Sequence, residues 1–194
     1  EDGDLQHSGT ISARNTDGSG GEVLIGDDNS GYAIASTTTV AATAVIDVAA
    51  TADSGNGGSV QITARDNTVF DGQISASAGT VGGNGGSASV TGKMALQFGG
   101  SADLSATAGD TGTLTITSAD QAIGSNAGDL MAGADLANLL TTSNVVLDTS
   151  YVYDSGTLVT DSSIEINDDV SWSSGNNLTL NSGNEIRING SLEG

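Results

Sequence analysis

The side chains that could perform chemistry are few, and they lie far apart along the chain. The sequence contains no Cys and a single His, His7, which is flanked by Gln6 and Ser8. A nucleophilic triad needs a base beside its Ser or Cys, and a closed zinc site needs several Cys or His ligands. We therefore expect no catalytic residue, no metal site and no bound cofactor, and we assign no ligand-binding residue.

Paired carboxylates are the remaining candidates for acid–base chemistry, because polysaccharide hydrolases use two of them. Asp27-Asp28 and Asp168-Asp169 are such pairs, although Asp is also common at corners between strands. A lyase site would also need clustered cations, and the four basic residues are scattered in the sequence: Arg14, Arg65, Lys93 and Arg187. Because neither an EF-hand loop nor a Gly-Asp nonapeptide array is present, we expect only weak, nonspecific calcium association.

The aromatic residues offer one candidate for sugar stacking. Tyr151 and Tyr153 are two residues apart on a predicted strand, so they would share a face, where they would stack on a sugar or cover an insertion. Trp172 takes the place of an inward-facing aliphatic residue and is predicted to belong to the core. The sequons at Asn177 and Asn189 would permit glycosylation, although two are expected by chance in this composition.

The charge of the chain excludes two classes of partner. There are 24 acidic and 4 basic residues, which give a formal net charge of −20. A surface of this sign repels nucleic acid and anionic lipid. No stretch approaches the ~18 apolar residues that span a bilayer, so we expect no membrane insertion. Since the sequence starts at Glu1 without a leader, we predict a soluble segment of a longer chain.

The composition argues against an ordinary globular core. Gly occurs 29 times, Pro and Cys are absent, and aromatic residues make up 3% of the chain. A core must therefore be built from small aliphatic side chains, without disulfides.

Internal repeats indicate how such a core is built. The sequence GNGGS occurs at 55–59 and again at 83–87, a spacing of 28 residues. An apolar-x-apolar triplet follows each copy, and similar triplets occur upstream and downstream: Val23–Ile25, Val60–Ile62, Ala88–Val90 and Leu114–Ile116. Between them lie segments that we align with one another: Thr10–Ala13, Gln73–Ala76 and Asp103–Ala106. One unit thus holds at least two short strands.

The C-terminal third has a shorter period. Ile164 and Ile186, Ile166 and Ile188, and Val170 and Leu192 are each separated by 22 residues. We predict that these pairs stack inside adjacent coils, whereas the middle residues of the triplets face water. Those middle residues are Gln61, Glu165, Ser171, Thr179 and Arg187.

These periods predict an all-β fold, a parallel β-helix whose coils stack about 4.8 Å apart. Residues 1–128 form coils of about 28 residues with an expanded coil near 26–55, and residues 144–194 form coils of about 22 residues. Asn56 would lie above Asn84 and bond to it side chain to side chain. The pattern is still in phase at Leu192, so we expect uncapped ends.

Residues 129–143 break this pattern and are predicted to form a short helical insertion. Leu136, Leu139 and Leu140 fall at helical spacing, and Asp135 is the candidate N-cap. The insertion would join the two regions of different period.

The repeats resemble those of large bacterial exoproteins of the filamentous-haemagglutinin type, which use two-partner secretion. The resemblance covers most of the chain and rests on GGEVLIG at 20–26, GNGGSVQITARDNTVFDGQISASAG at 55–79, GNGGSASVTGKMALQFGGSADLSA at 83–106 and IEINDDVSWSSGNNLTLNSGNEIRINGSL at 164–192. It implies a right-handed β-helix, a secreted or cell-surface location, and a role as an adhesin, stalk or biofilm scaffold.

The leading functional hypothesis is thus a structural or adhesive segment of a surface filament, with no enzymatic activity. Its expected partners are a glycan or matrix polysaccharide, other copies of the chain, and an outer-membrane transporter during export. The alternatives are a carbohydrate-active β-helix enzyme and an ice- or surface-binding solenoid that would use Thr rows. The stretch with Thr38, Thr39 and Thr43 is too irregular for an ice-binding array.

Overall fold

The computed structural model describes residues 3–27, 34–150, 153–154, 157–158 and 162–194. The chain is a β-solenoid of about six stacked turns, and the described residues include one short helix. The predicted fold class is therefore confirmed. No helix within the described residues is long and apolar enough to cross a membrane.

The first four coils are alike, and each contributes three strands. These strands are β1 (Asp4–His7), β2 (Thr10–Ser12), β3 (Glu22–Ile25), β4 (Thr37–Val40), β5 (Val45–Asp47), β6 (Ser59–Ala64), β7 (Asn67–Phe70), β8 (Gln73–Ser75), β9 (Ser87–Gly92), β10 (Ala95–Phe98), β11 (Ser101–Asp103) and β12 (Thr113–Thr117).

The rest of the chain is less regular and contains the helix and a hairpin. Its elements are β13 (Gln121–Ile123), α1 (Gly133–Leu139), β14 (Asn144–Asp148), β15 (Tyr153–Asp154), β16 (Thr157–Leu158), β17 (Ser163–Ile166), β18 (Val170–Ser171), β19 (Leu178–Asn181), β20 (Glu185–Ile188) and β21 (Leu192–Glu193). Strands β15 and β16 pair antiparallel as the hairpin.

Each side of the first four coils is a parallel sheet to which every one of these coils contributes one strand. The central sheet has the order β3-β6-β9-β12-β14-β19. The second sheet is β1-β4-β7-β10, and the third sheet is β2-β5-β8-β11. Further along the axis, β13, β17 and β20 form one sheet and β18 pairs with β21.

The register of the central sheet confirms the predicted stacking of the triplets. Val23 lies beside Val60, Val60 beside Ala88, and Ala88 beside Leu114. Their side chains face the interior and are buried, and the middle residue Gln61 is half-buried on the outer face. Of the other middle residues, Glu165 is half-buried, and Ser171, Thr179 and Arg187 are exposed.

The alignment of Asp103–Ala106 with Gln73–Ala76 is wrong by two residues. Ser101 is the residue that pairs with Gln73, and Asp103 pairs with Ser75. A slip of two residues keeps each side chain on the same face of a strand, so alternation alone does not detect it. The GNGGS spacing of 28 residues predicts the correct register.

The 22-residue pairs have the predicted register, but their burial differs between the two levels. Ile164 lies beside Ile186, and Ile166 beside Ile188. Ile164 and Ile166 are fully buried, whereas Ile186 is 42% and Ile188 is 51% exposed. Within the described chain, no strand pairs with β20 on its edge away from β17. The inward-facing side chains of β20 are therefore covered by a neighbouring coil on one side only.

The helix α1 lies at the predicted place, and its leucines are buried as predicted. Leu136, Leu139 and Leu140 belong to the core. The predicted N-cap is wrong: Ala132 occupies the N-cap position, and Asp135 lies in the first turn. The helix contacts β11 and β18, so it fills the level between these two strands.

Candidate functional site

A polar groove runs along the solenoid at the corner where the third sheet meets the central sheet. Its volume is about 750 Å³. Four consecutive coils contribute residues to it: Asn15, Gly20, Gly21 and Glu22; Asn56, Gly57, Gly58 and Ser59; Asn84, Gly85, Gly86 and Ser87; and Asp110, Thr111, Gly112 and Thr113. The second and third coils therefore repeat one Asn-Gly-Gly-Ser set, whereas the first coil ends in Glu22 and the fourth has Asp110, Thr111 and Thr113 in this set.

The floor of the groove is glycine because neighbouring backbones approach closely there. A Cβ atom on Gly57 would lie 1.8 Å from the carbonyl oxygen of Ala76, and one on Gly85 would lie 1.8 Å from that of Leu104. Both obstacles are backbone oxygens of the next coil, and each accepts a hydrogen bond within its own coil, Ala76 from the Gly86 amide and Leu104 from the Gly112 amide, so they do not move aside easily. Close packing thus explains the glycines without reference to any ligand.

One wall of the groove is a hydrogen-bonded ladder of Asn and Asp residues. The Asn84 amide N–H donates to Oδ1 of Asn56 over 2.8 Å, and the Asp110 amide donates to Oδ1 of Asn84 over 3.0 Å. The predicted bond between the Asn56 and Asn84 side chains is therefore wrong, because the side-chain oxygen accepts from the backbone of the next coil. A side-chain pair of the predicted kind occurs instead between Asn189 and Asn167, at 2.7 Å.

The other wall is a column of polar side chains at the edge of the central sheet. Glu22, Ser59, Ser87 and Thr113 are paired in register along it. Within the described parts of the chain, the hydroxyls of Ser59, Ser87 and Thr113 make no hydrogen bond to the protein. These hydroxyl groups are thus available to a ligand that lies along the axis.

The candidate carboxylate pair at Asp168 and Asp169 ties coils together. Asp168 Oδ2 accepts hydrogen bonds from Ser125 Oγ over 2.9 Å and from the Gly133 amide over 3.2 Å. Asp169 Oδ1 accepts from both the hydroxyl and the amide of Ser191, each over 2.8 Å. These bonds, first of all that from the Ser191 hydroxyl, hold the pKa of Asp169 below its usual value.

The other pair, Asp27-Asp28, lies partly outside the described residues. Asp28 is not described, whereas the backbone of Asp27 forms an isolated antiparallel β-bridge with that of Ile34. Neither pair is brought together with a cluster of cations in the part of the chain that the structure describes.

Three of the four cations form ion pairs on the surface. Arg14 pairs with Asp47, and Arg65 lies 3.5 Å from Asp66. Arg187 contacts Glu185 at 2.6 Å and Glu165 at 2.7 Å, and these two carboxylates raise its pKa.

Arg65 and Lys93 are the two cations that the structure brings near each other. They follow Ala64 and Gly92, which are paired in register, so they occupy the same corner of adjacent coils. The remaining two, Arg14 and Arg187, lie on other coils. Among the described residues, no group of three or more His, Cys, Asp or Glu side chains could hold a metal ion.

The aromatic and Thr candidates have mixed outcomes. Tyr151 lies outside the described residues, and Tyr153 is part of the hairpin strand β15. Trp172 is half-buried against the core, and its Nε1 donates to the carbonyl oxygen of Asn176 over 3.0 Å. Thr38 is buried and donates to the carbonyl oxygen of Thr63, so it does not belong to a surface row.

Sequence reasoning missed the groove, although its signal was present. The GNGGS copies place Asn, two glycines and Ser at one corner, but recognising a groove requires knowing that a strand begins at its Ser residue. A second cleft of about 320 Å³, beside α1, was also missed; its polar lining includes Gln73, Asp103, Asp135 and Asn138.

Comparison with known proteins adds no family. A scan against protein-family models finds no match, and a search of curated proteins finds no significant relative.

Proposed function

We propose that the chain is a structural and adhesive segment of a large bacterial filament that is secreted or anchored at the cell surface. The observation that supports this most is the in-register stacking of the coils, which repeats one outer surface along an axis. Such a solenoid provides reach and stiffness, and it multiplies weak contacts instead of forming one deep pocket.

The groove provides a suitable contact surface for this role. The Ser59, Ser87 and Thr113 hydroxyls along one wall can each hydrogen-bond to an extended, hydroxyl-rich polymer. Each hydrogen bond is weak because it replaces a hydrogen bond to water. Once one contact has formed, however, the other hydroxyls of the same polymer are held near the groove at a high effective concentration, so several weak contacts together give stronger binding. A matrix polysaccharide is the proposed ligand class, and other copies of the chain are the proposed second partner.

A structural role is favoured over the carbohydrate-active enzyme by what the described carboxylates do. Asp168 and Asp169 accept hydrogen bonds from other coils, and the low pKa of Asp169 suits an acceptor better than a general acid. An ice-binding surface is not favoured either, since Thr38 faces the interior.

The proposed location and export route come from the resemblance of the repeats to filamentous-haemagglutinin-type exoproteins. On that proposal, an outer-membrane transporter is a partner during export. The net charge of −20 supports a role that involves neither nucleic acid nor membrane insertion.

A glycan array with the purified chain tests the proposal. We expect weak binding to at least one extended polysaccharide, and we expect Ser87→Trp, which fills the groove, to abolish it. Gln97→Trp is the matched control, because Gln97 is exposed on β10 in another sheet. Release of reducing ends from any polysaccharide would support the enzyme instead, and an absence of both glycan binding and self-association would contradict an adhesive role.

A further inference from the structure

The groove carries one carboxylate near each of its ends. Glu22 belongs to the first coil and stands at the head of the hydroxyl column, in register with Ser59. Asp110 belongs to the fourth coil and is the last residue of the Asn ladder on the opposite wall. Both residues are exposed. Three rises of about 4.8 Å separate the two coils, so the acidic ends of the groove lie about 14 Å apart along the axis.

These two carboxylates are available to a ligand. Within the described residues, neither makes a hydrogen bond or an ion pair. In the ladder, the Asn84 side-chain oxygen accepts from the amide of Asp110, but the level that follows Asp110 contains the helix α1 and donates no amide to its carboxylate. Of the described residues that line the groove, none is Lys or Arg. The groove is therefore acidic as well as rich in hydroxyl groups.

The main chain of the groove is already occupied by hydrogen bonds between coils. The Gly57 amide donates to the carbonyl oxygen of Asn84, and the Gly85 amide donates to that of Asp110, each over 2.9 Å. An extended peptide that adds to a sheet needs free main-chain groups, which this corner does not offer. A ligand thus meets side chains: the hydroxyls, the two carboxylates, and the NH2 groups of Asn56 and Asn84, which make no hydrogen bond in the described chain.

We propose that the groove selects a polysaccharide with free amino groups, of the class of de-N-acetylated hexosamine polymers, over neutral and anionic polysaccharides. The inference rests on the proposed adhesive function and names the ligand class of the same groove. Protonated amines form ion pairs with Glu22 and Asp110, and sugar hydroxyls bond to Ser59, Ser87 and Thr113 between them. A uronic acid polymer brings further carboxylates to this surface and is repelled, all the more because the net charge is −20.

The expected preference is modest and depends on salt. Both carboxylates are in contact with water, so each ion pair with an amine is weak and screened by salt. Two such pairs on one oligomer act together with the hydroxyl contacts. We therefore expect an amino oligomer to bind at least about fivefold more tightly than its N-acetylated form at about 20 mM salt, and this ratio to shrink as salt is added.

Calorimetric titration of the whole chain with two glucosamine oligomers of about six residues tests this inference. One oligomer is fully de-N-acetylated and the other is fully N-acetylated, so they differ only in their amino groups. At about pH 5.5 the free amines are protonated. Equal binding of the two oligomers, or tighter binding of the N-acetylated one, would overturn the inference while leaving the adhesive function in place. Binding of neither oligomer would also overturn it, and the glycan array then decides whether the adhesive function stands.

Two double variants separate the groove from the overall charge. Glu22→Gln with Asp110→Asn removes the two groove carboxylates, whereas Glu193→Gln with Asp135→Asn removes the same charge at exposed positions outside the groove. We expect the first variant to bind both oligomers equally and the second to keep the preference. The same loss in both variants would overturn the inference, because net charge alone would then explain the preference. An oligolysine that binds as tightly as the amino oligomer and competes with it would overturn it too, since the groove would then not distinguish a sugar from a basic peptide.

Discussion

The regular coils and the level that contains α1 bury the same interior with different local structures. In the regular coils, Ile62, Val90 and Ile116 project inward from strands that hydrogen-bond to neighbours on both sides. At the irregular level, Leu136 and Leu139 project inward from a helix. A strand of three residues and a helix of seven residues both span about 10 Å, so the helix covers the same length of the solenoid's side.

The two solutions differ in where their backbone hydrogen bonds come from. A strand needs the adjacent coils to satisfy its N–H and C=O groups, whereas a helix satisfies its own backbone except at its ends. In this protein the next coil supplies the hydrogen-bond partners for the two ends of α1. Asp168 accepts from the Gly133 amide, and the Leu140 carbonyl oxygen accepts from Ser174 Oγ at 2.5 Å and Asn176 Nδ2 at 2.8 Å. The ends of the helix therefore depend on side chains for their contact with the next coil, whereas the strands of the regular coils are joined to one another by backbone hydrogen bonds.

The largest effect should come from a methyl group at the floor of the groove. The Gly85→Ala variant places Cβ 1.8 Å from the Leu104 carbonyl oxygen and 2.5 Å from the Gly112 nitrogen. Since both are backbone atoms of the next coil and are hydrogen-bonded to each other, the coils must separate, and we expect a loss of about 4 kcal/mol or more in the free energy of unfolding. Urea denaturation measures it.

Gly175→Ala is the control for that substitution, because a Cβ on Gly175 meets no atom within 4 Å. We expect its free energy of unfolding to change by less than about 1 kcal/mol. A similarly small effect of Gly85→Ala would contradict the backbone-fixed description of the regular coils.

A core truncation in the helix should have the next largest effect. Leu136 is fully buried, so Leu136→Ala should cost about 3 kcal/mol through lost burial and a residual cavity. Because the helix satisfies its own backbone, we expect hydrogen-exchange protection to fall in α1, β11 and β18 while β6 and β9 keep theirs. Equal loss of protection along the whole chain would show that the irregular level is not a separate unit. Ala134→Ser, on the exposed side of α1, is the matched control.

Removing the side-chain cap of α1 should have a smaller effect. In Asp168→Ala the Gly133 amide and the Ser125 hydroxyl lose their acceptor. By analogy with other helix caps, we expect a loss of about 1 kcal/mol in the free energy of unfolding. Thermal unfolding of this variant and of Ser173→Ala, a change at an exposed position of the same coil, measures it. No difference between the two would mean that Asp168 does not stabilise the helix.

The sequence predicts the regular coils better than the irregular level for a physical reason. Repeats such as GNGGS report backbone contacts that recur at a fixed spacing, so stacking, burial and the glycine corners can be inferred from them. The cap of α1 comes from Asp168, 35 residues after Gly133, and no local pattern announces such a partner. Asp135 was the natural local candidate, and it was wrong because the helix begins before it.

The sequence predicts the groove less well than the regular coils and better than the cap of α1. Its residues are all present in the repeat, but the direction of the Asn side chains depends on the amide of the next coil. The sequence predicts that Asn56 and Asn84 stack. It does not show that the side-chain oxygen accepts from the backbone, because that depends on the exact rise of the coil at the corner.

The smallest effect should be on how the free energy of unfolding depends on acid pH. This dependence distinguishes hydrogen bonds between coils from hydrogen bonds within one turn. The Ser191 hydroxyl and amide hold the pKa of Asp169 below its usual value, and the Ser19 hydroxyl and amide do the same for Asp17. A depressed pKa contributes stability that is present above the unfolded value of about 3.9 and is lost as the pH falls through the folded value.

Asp169 joins two coils, whereas Asp17 and Ser19 belong to one turn. In urea denaturation between pH 5.5 and 2.5, we therefore expect Asp169→Asn to reduce the acid-induced loss of stability. Asp17→Asn should reduce it less, because its turn opens without separating any coils. If Asp17→Asn had the larger effect, local turns would stabilise the solenoid more than contacts between its coils, and the contrast between the regular and irregular levels would lose its basis.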